Sequence, residues 1–227
     1  MTLHAEEEMD NDNLSIFDVE RGILTGKIIE LTVSNQRPAT VIVVVILRRK
    51  SMRVRPAKPK DLAACGELDH SYTTDRVWQM DTREWNESLT ITFRVARLPR
   101  EMRVAYPLQG EGLLAGWRRR DGFLVAEEEG SVCGYVTLTT YVEHGIAWVG
   151  DLVVDRPWRR RGVGTSLLQA AAQWGYDHDM ARLVIEVQTK NYPAIRFCQS
   201  RGLILCGYND QHWPNQDIAL FFGESLR

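Results

Sequence analysis

The stretch Ala147–Gly175, AWVGDLVVDRPWRRRGVGTSLLQAAAQWG, constrains this chain more than any other. It reads as a buried strand over Ala147–Val154, a turn carrying Pro157, the run Arg159-Arg160-Arg161-Gly162-Val163-Gly164, and an amphipathic helix. Val163, Leu167, Ala171 and Trp174 recur at helical intervals and lay one apolar stripe against a sheet. A strand feeding a glycine loop at a helix start is an anion-binding layout. Glycines leave backbone N–H groups uncovered, and the helix macrodipole turns its positive end toward the same place. Three arginines add fixed charge.

Other phosphate loops are excluded by their letters. Gly22 to Gly26-Lys27-Ile28 has three residues between its glycines where a Walker loop needs four, and it lacks the magnesium-binding hydroxyl. Gly110, Gly112 and Gly116 miss the dinucleotide spacing and follow no clear strand. A basic surface turn capping a helix would share the letters of RRRGVG, so its neighbours decide. They are a strand ending Leu152-Val153-Val154 before it, a strand over Leu183–Gln188 after it, and then NYPAIRFC from Asn191 to Cys198, followed by Arg201-Gly202-Leu203.

In that order the segments resemble the GNAT superfamily of N-acetyltransferases. RRRGVG fits its R-x-x-G-x-G/A acetyl-CoA loop, and Asn191–Leu203 resembles its N-x-x-A-x-x-F-Y-x-x-x-G-F segment. The resemblance implies an α/β (α+β) fold: a mixed, mostly antiparallel central sheet with splayed parallel central strands, flanked by helices. It places the pantetheine arm on the backbone of Leu152, Val153 and Val154. The pyrophosphate falls on the N–H groups of Arg161, Gly162, Val163, Gly164 and Thr165, with Arg159 and Arg160 as charged partners, and Asn191, Ala194 and Phe197 line the thiol end. Acetyl-CoA is then a co-substrate and a small amine the acceptor.

A protonated amine has no lone pair, so amine acetylation calls for a general base. Glu186 alternates with Ile185 and Val187, which puts it on the opposite face of its strand, and it is the favoured base; Asp151 is the second carboxylate near the splay. A Glu186 merely paired with a surface cation is the structural alternative. The family's tyrosine acid falls here on Cys198. The acid role therefore passes to this thiol, to Tyr192 or Tyr208, or to no residue at all.

Composition narrows the partners. A net charge of −2 offers no polyanion-binding surface, so nucleic acid is not the expected partner. Four cysteines without a C-x-x-C pair suit a reducing cytoplasm. No metal is expected, since Asp177-His178-Asp179 and the cluster Asn209, Asp210, His212 and Asp217 have neither zinc-protease nor EF-hand spacing and read as turns. Val41–Leu47 is too short to cross a membrane, and its flanking charges run opposite to those of a secretory signal.

Residues 1–51 read as an extension, either a disordered acidic leader with an added strand at Val41–Leu47 or sequence upstream of the functional start at Met52. The domain runs over 52–227. Arg53-Val54-Arg55 begins it as a strand, Leu62, Cys65 and Leu68 supply the buried face of the first helix, and Leu113–Trp117 is a short helix. Ser71–Glu87 reads as an aromatic-bearing segment, either an acceptor lid or a piece pinned to the core by Trp78 and Trp85. Ser88–Ala96 is a strand, with Arg103–Tyr106 returning beside it across Pro99, and Arg118–Gly122 a solvated turn. A hairpin over Phe123–Thr140 turns at Glu127–Gly130, and Leu203–Tyr208 and Ile218–Phe222 close the sheet.

Gly207–Phe222 together with TDRVWQM at Thr74–Met80 resembles streptothricin acetyltransferase-like proteins. That implies an antibiotic amine as acceptor, attracted by Asp151, Glu143 or Asp210. A protein N-terminus, a metabolite amine, or a CoA-binding module without turnover are the alternatives. Strand edges near the C-terminus suit a homodimer.

Overall fold

The computed structural model describes residues 52–105, 116, 119–213 and 216–227. The leader and the Val41–Leu47 strand lie outside the described residues, as does the expected Leu113–Trp117 helix apart from Gly116.

Strand β1 (Arg53–Pro56) leads into helix α1 (Asp61–Glu67). Strands β2 (Tyr72–Trp85) and β3 (Ser88–Val104) follow, then β4 (Gly122–Glu128) and β5 (Ser131–Tyr141). After β6 (Ile146–Val154) come helix α2 (Val163–Asp177), β7 (Arg182–Gln188), helix α3 (Tyr192–Ser200), β8 (Ile204–Asn209) and β9 (Ala219–Ser225). Seven strands form one sheet in the order β1-β4-β5-β6-β7-β9-β8. Among the described strands only β6 and β7 pair in parallel, with α2 as the crossover between them.

The two faces of the sheet carry different cores. On one, Val163, Leu167, Leu168 and Ala171 of α2 pack with Leu124, Val136, Leu138, Ala147, Val149 and Ile185. This is the stripe expected from the helical spacing, with Trp174 at its partly buried end. On the other face α1 contributes Cys65 to a smaller cluster with Val125, Tyr135 and Val153. With both faces covered, β5 is buried continuously from Cys133 to Leu138 instead of alternating. Arg55 ties the first elements together through Asp61 Oδ2 at 2.6 Å and Glu127 Oε2 at 2.7 Å.

The segment Ser71–Glu87 is mostly strand, and Arg103 continues β3 instead of returning beside it: β2 and β3 form a separate two-stranded ribbon from Tyr72 opposite Val104 to Trp85 opposite Ser88. Its letters mix charged and aromatic residues because only one face of the ribbon meets the domain. Pro99 sits where Leu98–Glu101 bulge out between the Arg76–Arg97 and Thr74–Met102 pairs, a position that needs no ladder N–H. Trp78 does pin the ribbon, with its ring 6.2 Å from Phe222, but Trp85 stands 76% exposed at the ribbon tip.

Candidate active site

Strand β6 holds the feature on which the site depends. Thr137 opposes Asp151 and Leu138 opposes Val149, so Gly150 is an extra residue without a partner on β5. A bulge bends and twists its strand. The parallel pairing with β7 ends at this point, at Val149 opposite Ile185. Beyond it β6 and β7 diverge, each retained by its outer neighbour, and Leu152, Val153 and Val154 line one side of the gap.

The bulge also inverts the side-chain alternation. Ala147 and Val149 face α2 before it and Leu152 and Val154 after it, whereas Val153 joins the α1 side. Asp151 therefore lies on that side too, opposite Thr137. The Thr137 hydroxyl donates to Asp151 Oδ2 at 2.8 Å and accepts from the Asp151 N–H at 3.0 Å, pinning the bulge. Arg120 reaches Asp151 Oδ2 at 3.5 Å and Thr139 Oγ1 at 3.3 Å, so part of the expected solvated turn belongs to the site. Its guanidinium occupies the space above Gly150 where a Cβ would stand, 2.7 Å from Nη1.

At the other end of the gap, α2 starts at Val163 with Gly162 at φ 90° as its N-cap. Its first ladder bond is Ser166 N–H to Gly162 C=O at 3.1 Å, and no side chain caps it. The N–H groups of Gly162, Val163, Gly164 and Thr165 are the four that a helix start leaves for an external acceptor. A Cβ on Gly164 would lie 3.6 Å from both Val154 and Phe197, so the loop, the end of β6 and α3 converge. This set of free donors beside an unpaired strand edge fits a ligand with a phosphate group and an extended amide arm.

Glu186 stands on β7 just past the last parallel pair. Its side chain is 9% exposed, and its Oε2 lies 3.0 Å from His212 Nε2. Trp148 provides a second side-chain hydrogen bond; its only donor is the indole N–H. Burial pushes the Glu186 carboxyl above its ordinary range, His212 and Trp148 act against that rise, and Asp151 adds to it. An aromatic wall completes the surroundings: Phe221 lies 5.0 Å from Trp148 and 6.0 Å from His212.

Comparison with known proteins settles the family. The model described as the acetyltransferase (GNAT) family matches residues 81–203. The chain belongs to the GNAT family. It is 24% identical over 160 residues to streptothricin acetyltransferase of Streptomyces lavendulae, covering 67% of this chain and 82% of that one. It is 29% identical over 83 residues to streptothricin acetyltransferase A of Bacillus subtilis (strain 168), where the match covers 35% of this chain and about half, 48%, of the relative. Among solved structures, a candidate streptothricin acetyltransferase from Bacillus anthracis, in complex with acetyl coenzyme A, has a TM-score of 0.63 at 19% identity over 77% of this chain and 99% of its own.

Within this GNAT domain the residues expected at the site are engaged as follows. Arg159, expected at a phosphate, donates to three carbonyls instead: Val154 at 2.8 Å, Ser71 at 2.7 Å and Asp69. It clamps the start of the ribbon to the end of β6. Arg160 stands at φ 63° in the loop, and the Arg161 guanidinium lies 5.4 Å from the centre of the Trp158 ring. Asn191 uses its Oδ1 to cap α3 through Ala194 N–H at 3.2 Å, with Ala194 and Phe197 partly buried beside the core. Cys198, expected as an acid, is fully buried in the main core, and burial pushes its thiol up to about 12.

His212, Trp148, Thr137 and Arg120 were not singled out from sequence as site residues. His212 lies in the cluster read as a turn, and neither its spacing nor its neighbours reveals that β9 pairing brings it to β7. Among the described residues no group of three or more metal-binding side chains converges, and no helix is long and apolar enough to cross a membrane.

Proposed function

We propose that this GNAT protein is an acetyl-CoA-dependent N-acetyltransferase acting on a primary amine of a small cationic molecule, with a streptothricin-like antibiotic as the first acceptor to test. One observation carries this reading. A single bulge-driven splay connects free helix N–H groups at Gly162–Thr165 to a buried carboxylate at Glu186, with Asp151 on the same side. Its antibiotic form is supported by the names of the relatives.

Acetyl-CoA supplies the thioester. The N–H groups at the start of α2 hold its phosphates, with Arg160 and Arg161 near them, and Leu152–Val154 guide its arm. Glu186 takes a proton from the ammonium and frees the nitrogen lone pair for attack on the thioester carbon. A carboxyl raised by burial is better matched to this transfer than an exposed one. Because Cys198 is enclosed, the thiolate leaves without help from it.

We further propose that residues 52–227 are the acetyltransferase domain and act in the cytoplasm. The outer edge of β8, with Ile204 at 73% exposure beside Leu205 and Tyr208, supports a homodimer. A chain beginning at Met52 is expected to fold and bind acetyl-CoA.

Mass spectrometry of an amine mixture containing streptothricin, polyamines, aminoglycosides and short peptides, incubated with protein and acetyl-CoA, tests the reaction. Streptothricin is expected to gain one acetyl group. Glu186→Gln should lower turnover by roughly a hundredfold or more while acetyl-CoA binding survives. Acetylation of another amine would discard the antibiotic. Bound acetyl-CoA with no amine acetylated would favour a CoA-binding module.

A further inference from the structure

The turn between β8 and β9 carries a residue for which the mechanism above has no use. His212 Nε2 faces Glu186 Oε2 at 3.0 Å, and its ring is flanked edge-on by Trp213 at 5.2 Å and Phe221 at 6.0 Å. The aromatic contacts fix the imidazole in front of the carboxylate. His212 is 32% exposed where Glu186 is 9% exposed, so the histidine stands between the buried base and solvent.

The other groups around Glu186 cannot do the same work. Trp148 on β6 donates a hydrogen bond but carries no charge. Asp151, also on β6, is a like charge and is engaged by Thr137 and by Arg120 from the segment before β4. On β9 the residue opposite Glu186 is Phe221, which is apolar. A buried carboxylate with one neutral donor would rotate about its terminal bond and favour its neutral form.

We propose that His212 is a positioning residue for acetyl transfer, gripping one carboxylate oxygen of Glu186 from the β8–β9 turn so that the base stays charged and keeps one orientation at the splay. The proposal rests on the reading of Glu186 as base. His212 itself exchanges no proton with the acceptor in this scheme.

Protein labelled with carboxyl-13C glutamate is titrated by NMR, with Glu186 identified by the signal lost in Glu186→Gln, and kcat/KM is followed against pH for the acetylated amine. In His212→Ala the Glu186 midpoint should rise by about one pH unit, the shift typical of losing a close favourable partner. The acidic limb of kcat/KM should rise with it. His212→Gln, which keeps an N–H donor without a titrating ring, should recover part of both. A midpoint and limb that stay in place in His212→Ala, even with activity lowered evenly at all pH values, would overturn the proposal. The carboxyl titration needs no turnover. If no amine is acetylated, a moved midpoint upholds the grip of His212 and the failure belongs to the proposed reaction, whereas an unmoved midpoint overturns the grip itself.

Discussion

Gly162 meets no neighbour where a side chain would stand, so substitution there is opposed by its φ of 90° alone. Forcing alanine into that region costs about 1–2 kcal/mol, and the loop escapes the strain by turning its N–H groups out of line. Gly162→Ala should weaken acetyl-CoA binding by roughly tenfold, measured by calorimetry, with only a small loss of melting temperature. Unchanged affinity would remove the loop from the binding site. This residue was legible from the sequence because a glycine that follows three arginines and opens a helical stripe suits an anion loop better than it suits a helix interior. Arg159 and Cys198 were not: the same letters suit a phosphate partner or a carbonyl clamp, an acid or a core thiol. What decides is which groups the remote Asp69–Ser71 segment and the Leu167–Ile195 core bring against them.

Among the elements, those with their own periodicity or caps were readable: α2 from its stripe, α3 from Asn191 as its cap and Gly202 just past its end, and the β4–β5 hairpin from the turn that places Glu129 and Gly130 at positive φ. The β2–β3 ribbon and the bulge at Gly150 were not, since one depends on a single face meeting the domain and the other on register with β5. The junction of β1, α1 and β4 is an equally tertiary device. Arg55 is 13% exposed and Asp61 6% exposed, and removing the cation strands two carboxylates at once. Arg55→Met should lower stability at pH 7 by about 3 kcal/mol in urea unfolding, because breaking a buried ion pair on one side leaves an uncompensated charge. A loss under about 0.5 kcal/mol would mean that the triad is ornamental, as exposed pairs often are.

At the scale of the whole molecule, the carboxylates pull stability in opposite directions with pH. Asp61 is held below its ordinary range chiefly by hydrogen bonding to Arg55, and Asp69 by Ser71. Their stabilisation is present above the ordinary carboxylate range and is lost as pH falls through the depressed values. Glu186 and Glu224 are raised by burial. Their contribution is fully present at low pH and is lost as pH rises through the raised values, so ionised Glu186 destabilises the fold that positions it. The base is thus a place where activity and stability oppose one another. Glu186→Gln keeps an oxygen to accept from Trp148 and His212 and removes the buried charge. It should be more stable than the wild type at pH 8, and the two should converge near pH 4, where the wild-type carboxyl is itself protonated. Urea unfolding at pH 4, 6 and 8 reads this directly. If Glu186→Gln were less stable at pH 8, the attraction of His212 would outweigh the burial of the charge, and Glu186 would be a structural ion pair before it is a base.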